Sequence, residues 1–167
     1  MGVDVAEAVG DGFLHRALLY RGAAEFRASI ERYLRGGQAR AEPVLIATAP
    51  VKVSWLRREL NGDTAGVAFT DMTELGRNPA RIIPAIRAFM DRYPGRRIRC
   101  VGEPVWADRS AAELREATRY EALVNTAFGG SPATMVCLYD TAELTSSVLD
   151  DAGCTHPAVL RPGSAAE

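Results

Sequence analysis

Carboxylates set beside aromatic and amide side chains are the groups in this chain that could hold or transform a small polar molecule. Glu103 stands three residues before Trp106 in Gly102-Glu103-Pro104-Val105-Trp106, just beyond the strand-like alternation of Arg97-Ile98-Arg99-Cys100-Val101. An acid and an indole on a loop at a strand's carboxyl end suit a largely apolar pocket with a few polar anchors. Glu121 and Asn125 lie one turn apart on the helical stripe Leu114, Ala117, Val124 and Phe128, and polar groups buried there without partners would cost a few kcal/mol each. Tyr20 and Tyr139-Asp140 end two further strand-like runs, His15 begins one, and Arg77-Asn78 precedes a helix. The spacing predicts that Glu103, Glu121, Asn125 and Tyr139 converge with His15 or Tyr20 on one site, with Arg77, Asn78, Trp106 and Asp140 as further ligand contacts. Such a cluster could bind a polar ligand or perform general acid/base chemistry. Alternatively, Glu121 pairs with an arginine such as Arg77 or Arg99 and serves the fold, because a buried charge needs a partner whatever its function.

Other chemistries lack their residues. A phosphate-cradling loop needs spaced glycines ending in Gly-Lys-Ser/Thr, whereas the first strand leads into Tyr20-Arg21-Gly22-Ala23-Ala24-Glu25. Lys52, the only lysine, follows Ala49-Pro50-Val51 without a glycine cradle. There is no Gly-x-Ser-x-Gly elbow, and the histidines His15 and His156 are far apart in sequence. Cys100, Cys137 and Cys154 read as free thiols, two of them in strands. Cys154-Thr155-His156 matches none of the usual zinc spacings, so no metal and no cofactor is expected.

The elements that must position these residues follow from periodicity. His15–Tyr20 reads as a strand, followed by a helix lined by Phe26, Ile30, Tyr33 and Leu34 and stopped by Gly36-Gly37. Pro43–Pro50 is continuously apolar, as for a strand covered on both faces, and leads to a short helix with Trp55, Leu56 and Leu60, stopped by Asn61-Gly62. Residues 66–72 form a third strand. Asn78 can cap a helix begun by Pro79, with Ile82, Ile83, Ile86, Phe89 and Met90 on one face. Pro84 predicts a kink or a late start. Ser110-Ala111-Ala112-Glu113 fits a capping box, Thr134–Leu138 is a fifth strand, and residues 144–152 suit a final helix. This alternation predicts an α/β fold, a three-layer α/β/α sandwich around a mainly parallel sheet of five or more strands. Ligands bind at the carboxyl ends of strands in such sheets.

A chain of 167 residues with net charge −1 can bury one sizeable core without a metal or disulfide staple. Its arginines are scattered, which argues against nucleic-acid binding. No run approaches a membrane span of ~20 residues and the N-terminus lacks a signal-peptide pattern, so a cytoplasmic protein is expected. Residues 1–12 read as a lead-in, 13–160 as the domain and 161–167 as a linker or tail.

Several segments, in order, resemble the MEDS sensory domain of methanogen and methylotroph regulators, also found ahead of kinase-like ATPase domains in actinobacterial anti-sigma factor regulators. They are His15–Arg21, Gly76–Pro84, Gly102–Trp106, Tyr120-Glu121-Ala122-Leu123-Val124-Asn125, Leu138-Tyr139-Asp140 and Thr155-His156-Pro157. Tyr120 stands where that family commonly has histidine, and Cys137 leads directly into Leu138 where a proline often intervenes. The resemblance implies a fold related to RecA and the clock protein KaiC without its nucleotide machinery. It also implies a non-catalytic input domain sensing a small molecule, such as a hydrocarbon derivative. Its output would run through a C-terminal kinase-like ATPase domain or a sigma-factor regulatory partner, and a homodimer is left open. No catalytic residue is carried over. The rival expectations are an enzyme built on Glu103 and Glu121, or an interaction module docking through the Trp55 or Trp106 surface.

Overall fold

The computed structural model describes residues 12–61 and 63–163. The proposed lead-in at residues 1–11, the Gly62 helix stop and the tail from Ser164 lie outside the described residues. In chain order the elements are β1 (Leu14–Tyr20), α1 (Gly22–Ala39), β2 (Val44–Thr48), α2 (Pro50–Glu59), β3 (Val67–Asp71) and α3 (Met72–Leu75). A 3-10 turn (Pro79–Arg81) and α4 (Ile82–Met90) follow, then β4 (Ile98–Gly102), α5 (Ala111–Ala127), β5 (Ala133–Asp140), α6 (Ser146–Thr155) and β6 (Ala158–Leu160). The six strands form one sheet in the order β3-β2-β4-β5-β1-β6, and every pairing is parallel. The sandwich is therefore the expected α/β/α architecture.

The side chains of successive strand residues alternate between two cores. Phe26, Ile30 and Leu34 of α1 and Leu56 of α2 pack on one face with Leu18, Tyr20, Ile46 and Val101. On the other face, α4, α5 and α6 contribute Ile82, Phe89, Ala117, Val124 and Ala152 against Ala17, Leu19, Cys100, Met135 and Cys137. β2 is buried at all five positions and β5 at its first seven, which is why both read as unbroken apolar runs.

Three local readings change. Gly36-Gly37 does not stop α1, which continues to Ala39. The pair instead admits Arg99 against the helix: a Cβ on Gly37 would lie 2.9 Å from Arg99 Cδ. Arg99 donates to the Tyr33 carbonyl at 3.0 Å and pairs with Glu42, so the guanidinium needs that space. The two outcomes expected of Pro84 resolve to a late start, because Asn78 caps the 3-10 turn through Ala80 N at 3.1 Å and α4 begins only at Ile82. Pro84 thus falls in the first turn, where its missing N–H costs nothing. The sixth strand, β6, pairs with β1 from Arg16↔Ala158 to Leu18↔Leu160, and at three residues it is too short to show alternation in sequence. The capping box is present, with Ser110 N donating to Glu113 Oε2 at 2.8 Å and Glu113 N to Ser110 Oγ at 3.3 Å.

Candidate functional site

Strand parity decides which polar residues meet. Tyr20 shares a face with Leu18, and Glu103 with Val101; both therefore belong to the α1/α2 side. His15 shares a face with Ala17, and Tyr139 with Cys137; they belong to the α4/α5/α6 side. The expected single cluster is consequently two, separated by the sheet.

The first lies at the carboxyl ends of β2 and β4. Glu103 N donates to Ala47 O at 3.0 Å, extending the β2–β4 ladder one residue and fixing the acid beside Thr48. Thr48 Oγ1 donates to Glu103 Oε2, with Ala49 N at 3.5 Å from the same oxygen. Lys52, in the first turn of α2, donates to Glu103 Oε1 and at 2.7 Å to Tyr20 Oη. Tyr20 completes the ring by donating to Glu103 Oε1 at 3.3 Å. Burial, and then the Glu103 carboxylate, push the Tyr20 phenol up from its ordinary value, so it stays a donor. The Lys52 ammonium also lies 5.2 Å from the Phe26 ring centre. β2 leaves this edge through α2 on one face, whereas β4 leaves through α5 on the other. In open α/β sheets ligands bind beyond the carboxyl ends of strands that diverge in this way.

The second cluster is enclosed between the sheet and α5. Glu121, fully buried on α5, has His15 Nε2 at 3.1 Å and His156 Nε2 at 3.5 Å from Oε2. Cys137 Sγ is 3.3 Å from the same oxygen and 3.4 Å from His15 Nε2, and Tyr139 Oη donates to Oε1 at 3.3 Å. Asn125, one turn along α5, places Oδ1 3.0 Å from His15 Nδ1 and donates through Nδ2 to Thr155 O at 2.8 Å. Burial pushes the Glu121 carboxyl up, but the two imidazoles facing it hold it down more strongly, to about 2. Burial raises the Cys137 thiol well above its ordinary value, with Glu121 adding to the effect.

The comparisons fit this architecture. The MEDS family, described as the methanogen/methylotroph, DcmR sensory domain, matches residues 14–157. The chain belongs to the MEDS family. It is accordingly a sensory regulatory input domain. Among solved structures, an ATPase domain aligns with TM-score 0.58 at 10% identity, over 90% of this chain and 69% of that one. A KaiC-like protein from the hyperthermophilic archaeon Pyrococcus horikoshii OT3 aligns with TM-score 0.54 at 15% identity, over 88% and 71%. These likenesses establish a RecA/KaiC-like fold. No curated protein sequence matches.

In this MEDS domain, four of the sequence-derived candidates join neither cluster. Arg77 is exposed and pairs with Glu74 at 3.5 Å, while Asn78 caps the 3-10 turn. Trp106 lies under the Arg109 guanidinium, whose Cζ is 3.7 Å from the ring centre. Asp140 accepts from Gly22 N at 3.1 Å and Ala142 N at 2.9 Å, tying the β1–α1 turn to the end of β5. Glu121 pairs with histidines rather than with Arg77 or Arg99.

Thr48, Lys52, Cys137 and His156 are the participants that sequence reasoning left out. Lys52 carried a signal as the sole lysine immediately after a strand. His156 carried only its place in the family-like segment Thr155-His156-Pro157, because its partners lie on β1, α5 and β5. Among the described residues no helix is long and apolar enough to cross a membrane.

Proposed function

We propose that this MEDS domain senses a small amine or hydroxyl compound, without turning it over, at the Glu103 end of the sheet. The observation that carries this reading is the Lys52–Glu103–Tyr20–Thr48 ring at the carboxyl ends of β2 and β4, where the two strands leave on opposite faces. Glu103 is buried and held by three donors from the fold, Thr48 Oγ1, Ala49 N and Tyr20 Oη, whereas the Lys52 side chain is 25% exposed and rooted on α2. An ammonium or hydroxyl group entering there can take the place of Lys52 on Oε1 and leave the Thr48 bond intact. Freed, Lys52 would move α2, giving the domain a means of reporting occupancy. The signal would pass to a kinase-like ATPase domain or a sigma-factor regulatory partner of a bacterial control protein.

Two features support a non-catalytic role over the enzyme alternative. Glu103 and Glu121 lie on opposite sides of the sheet, so they do not face a common substrate as a general acid/base pair must. The β1–α1 turn has no glycine cradle, and the only lysine is engaged by an acid, in place of the loop that holds nucleotide phosphates.

The test is calorimetry and thermal shift of the purified domain against short-chain amines, alcohols and aldehydes, alongside magnesium-dependent ATP and GTP hydrolysis. The expected result is saturable binding of at least one compound, abolished by Glu103→Gln with little change in melting temperature, and no nucleotide turnover. Binding that survives Glu103→Gln, or hydrolysis that persists through repeated purification, would overturn the reading.

A further inference from the structure

The enclosed Glu121 cluster is a separate matter from ligand sensing at the strand ends, and its geometry has the form of a ligand set. His15 Nε2, Glu121 Oε2, Cys137 Sγ and His156 Nε2 all lie within 4.8 Å of one another. Four of the six separations are 3.1, 3.3, 3.4 and 3.5 Å. A tetrahedral zinc ion with N and O at about 2.0–2.2 Å and S at about 2.3 Å needs donors roughly 3.3–3.8 Å apart. Small movements of the side chains therefore suffice to close the tetrahedron.

The hydrogen bonds on the far sides of the two imidazoles fix where the lone pairs point. His156 Nδ1 lies 2.9 Å from Ala152 O, which can only accept, so Nδ1 carries the hydrogen. His15 Nδ1 faces Asn125 Oδ1 at 3.0 Å. That amide is oriented by Nδ2 donating to Thr155 O, so this Nδ1 is also a donor. With Nδ1 as the donor on a neutral ring, each Nε2 is left as the ligand atom on the side that faces Glu121 Oε2, and His15 Nε2 also faces Cys137 Sγ. His156 Nε2 is buried and has no hydrogen-bond partner. It is thus left without a donor inside a group of four potential ligand atoms that a cation would join.

A divalent metal with two neutral histidines, one carboxylate and one thiolate is electroneutral. The outer partners are those of metal sites, in which the second ring N–H of each histidine is bound and the carboxylate is itself hydrogen-bonded. Here Asn125, Ala152 O and Tyr139 Oη fill those roles.

We propose that His15, Glu121, Cys137 and His156 form a closed four-coordinate site for a zinc-class divalent ion. Two nitrogens, one oxygen and one sulfur suit the borderline softness of zinc. With four protein donors and no open position, the ion is structural. It fastens the end of α6, and with it β6, to β1, β5 and α5. Binding would release the Cys137 thiol proton, and affinity would fall as pH drops.

The experiment is metal analysis of the full chain purified without chelators, followed by cobalt(II) titration of the metal-stripped protein, with folding checked by circular dichroism. The expected result is one equivalent of bound metal, the visible absorption of tetrahedral cobalt and a near-ultraviolet thiolate-to-cobalt charge-transfer band. Cys137→Ser should remove that band, whereas Cys154→Ser should keep it, since Cys154 is exposed and outside the cluster. Asn125→Ala should weaken binding about 10- to 100-fold through loss of ligand orientation. A folded wild-type protein that binds no metal, that gives octahedral cobalt, or whose charge-transfer band follows Cys154 would overturn the proposal. The wild-type readout decides even if a ligand variant fails to fold. Failure here leaves amine or alcohol binding at Glu103 untouched, because that response is read by a different assay and a different variant.

Discussion

Glu103 and Glu121 are both buried acids held by several donors, yet they are answered in opposite ways. At Glu103 the countercharge is a lysine on a flexible stem that reaches solvent, so it can be exchanged for a competitor at low cost. At Glu121 the partners are imidazoles fixed by their own far-side hydrogen bonds, and nothing in the centre can move to water. The difference follows from position. Glu103 is one residue past the end of β4, at the edge where loops diverge, whereas Glu121 is in mid-helix under the middle of the sheet. A replaceable partner suits detection, and an irreplaceable one suits architecture.

The largest expected effect separates the two acids by stability. Glu121→Ala removes the carboxylate that His15, Cys137 and Tyr139 share and leaves these buried groups without it. Each buried polar group left unsatisfied costs about 1–3 kcal/mol, read together as a lowered urea midpoint. Glu103→Gln keeps an acceptor for Thr48 and lets Lys52 turn to water, so the loss should be about 1 kcal/mol or less. Equal losses from the two substitutions would break the comparison.

The same contrast explains what was legible in the sequence. Helix stripes and apolar strands were readable because α/β layers impose period 3.6 and continuous burial, and the sheet, its parallel sense and the capping box at Ser110 follow from local signals. Glu121 and Asn125 were readable as polar residues on a buried stripe. Of their partners, His15 and Tyr139 were among the expected residues, whereas Cys137 and His156 were not. His15 and His156 lie 141 positions apart in the chain and meet only because α6 and β6 return across β5 to the free edge of β1. The merger of Glu103 with Glu121 failed for a related reason: side chains on successive strand residues face opposite ways, and a one-residue difference in parity sends a carboxylate through the sheet. Gly36-Gly37 misled because a close approach by Arg99 and a helix stop leave the same mark in sequence.

A smaller effect sharpens the exchangeable side. In a double-mutant cycle of Lys52→Met and Glu103→Gln, the coupling should be about 1 kcal/mol, the range for a pair with a partly exposed member. It should shrink at high salt, because screening reaches charges that solvent reaches. A coupling that is several-fold larger and indifferent to salt would place Glu103 with the architectural acids and remove the case for ligand exchange there.

The smallest effect tests whether the Glu121 centre depends on its helix as a whole or only on its own donors. Ser110 caps α5, about three turns before Glu121, and Ser110→Ala should cost about 1 kcal/mol. The cap also has a pH signature. Hydrogen bonds from Ser110 hold the Glu113 carboxyl below its ordinary value. A depressed folded value contributes stability that is present above the ordinary carboxylate pKa and is lost as pH falls through that value toward the folded one. The difference in melting temperature between wild type and Ser110→Ala should therefore be full near neutrality and shrink in acid. Meanwhile the His15 and His156 ring resonances should stay in place at neutral pH, because both rings are fixed by Asn125, Ala152 O and Glu121 rather than by the start of α5. Ring shifts that track the loss of the cap would mean that the buried centre is held by the helix end, and its rigidity could no longer be set against the mobility of Lys52.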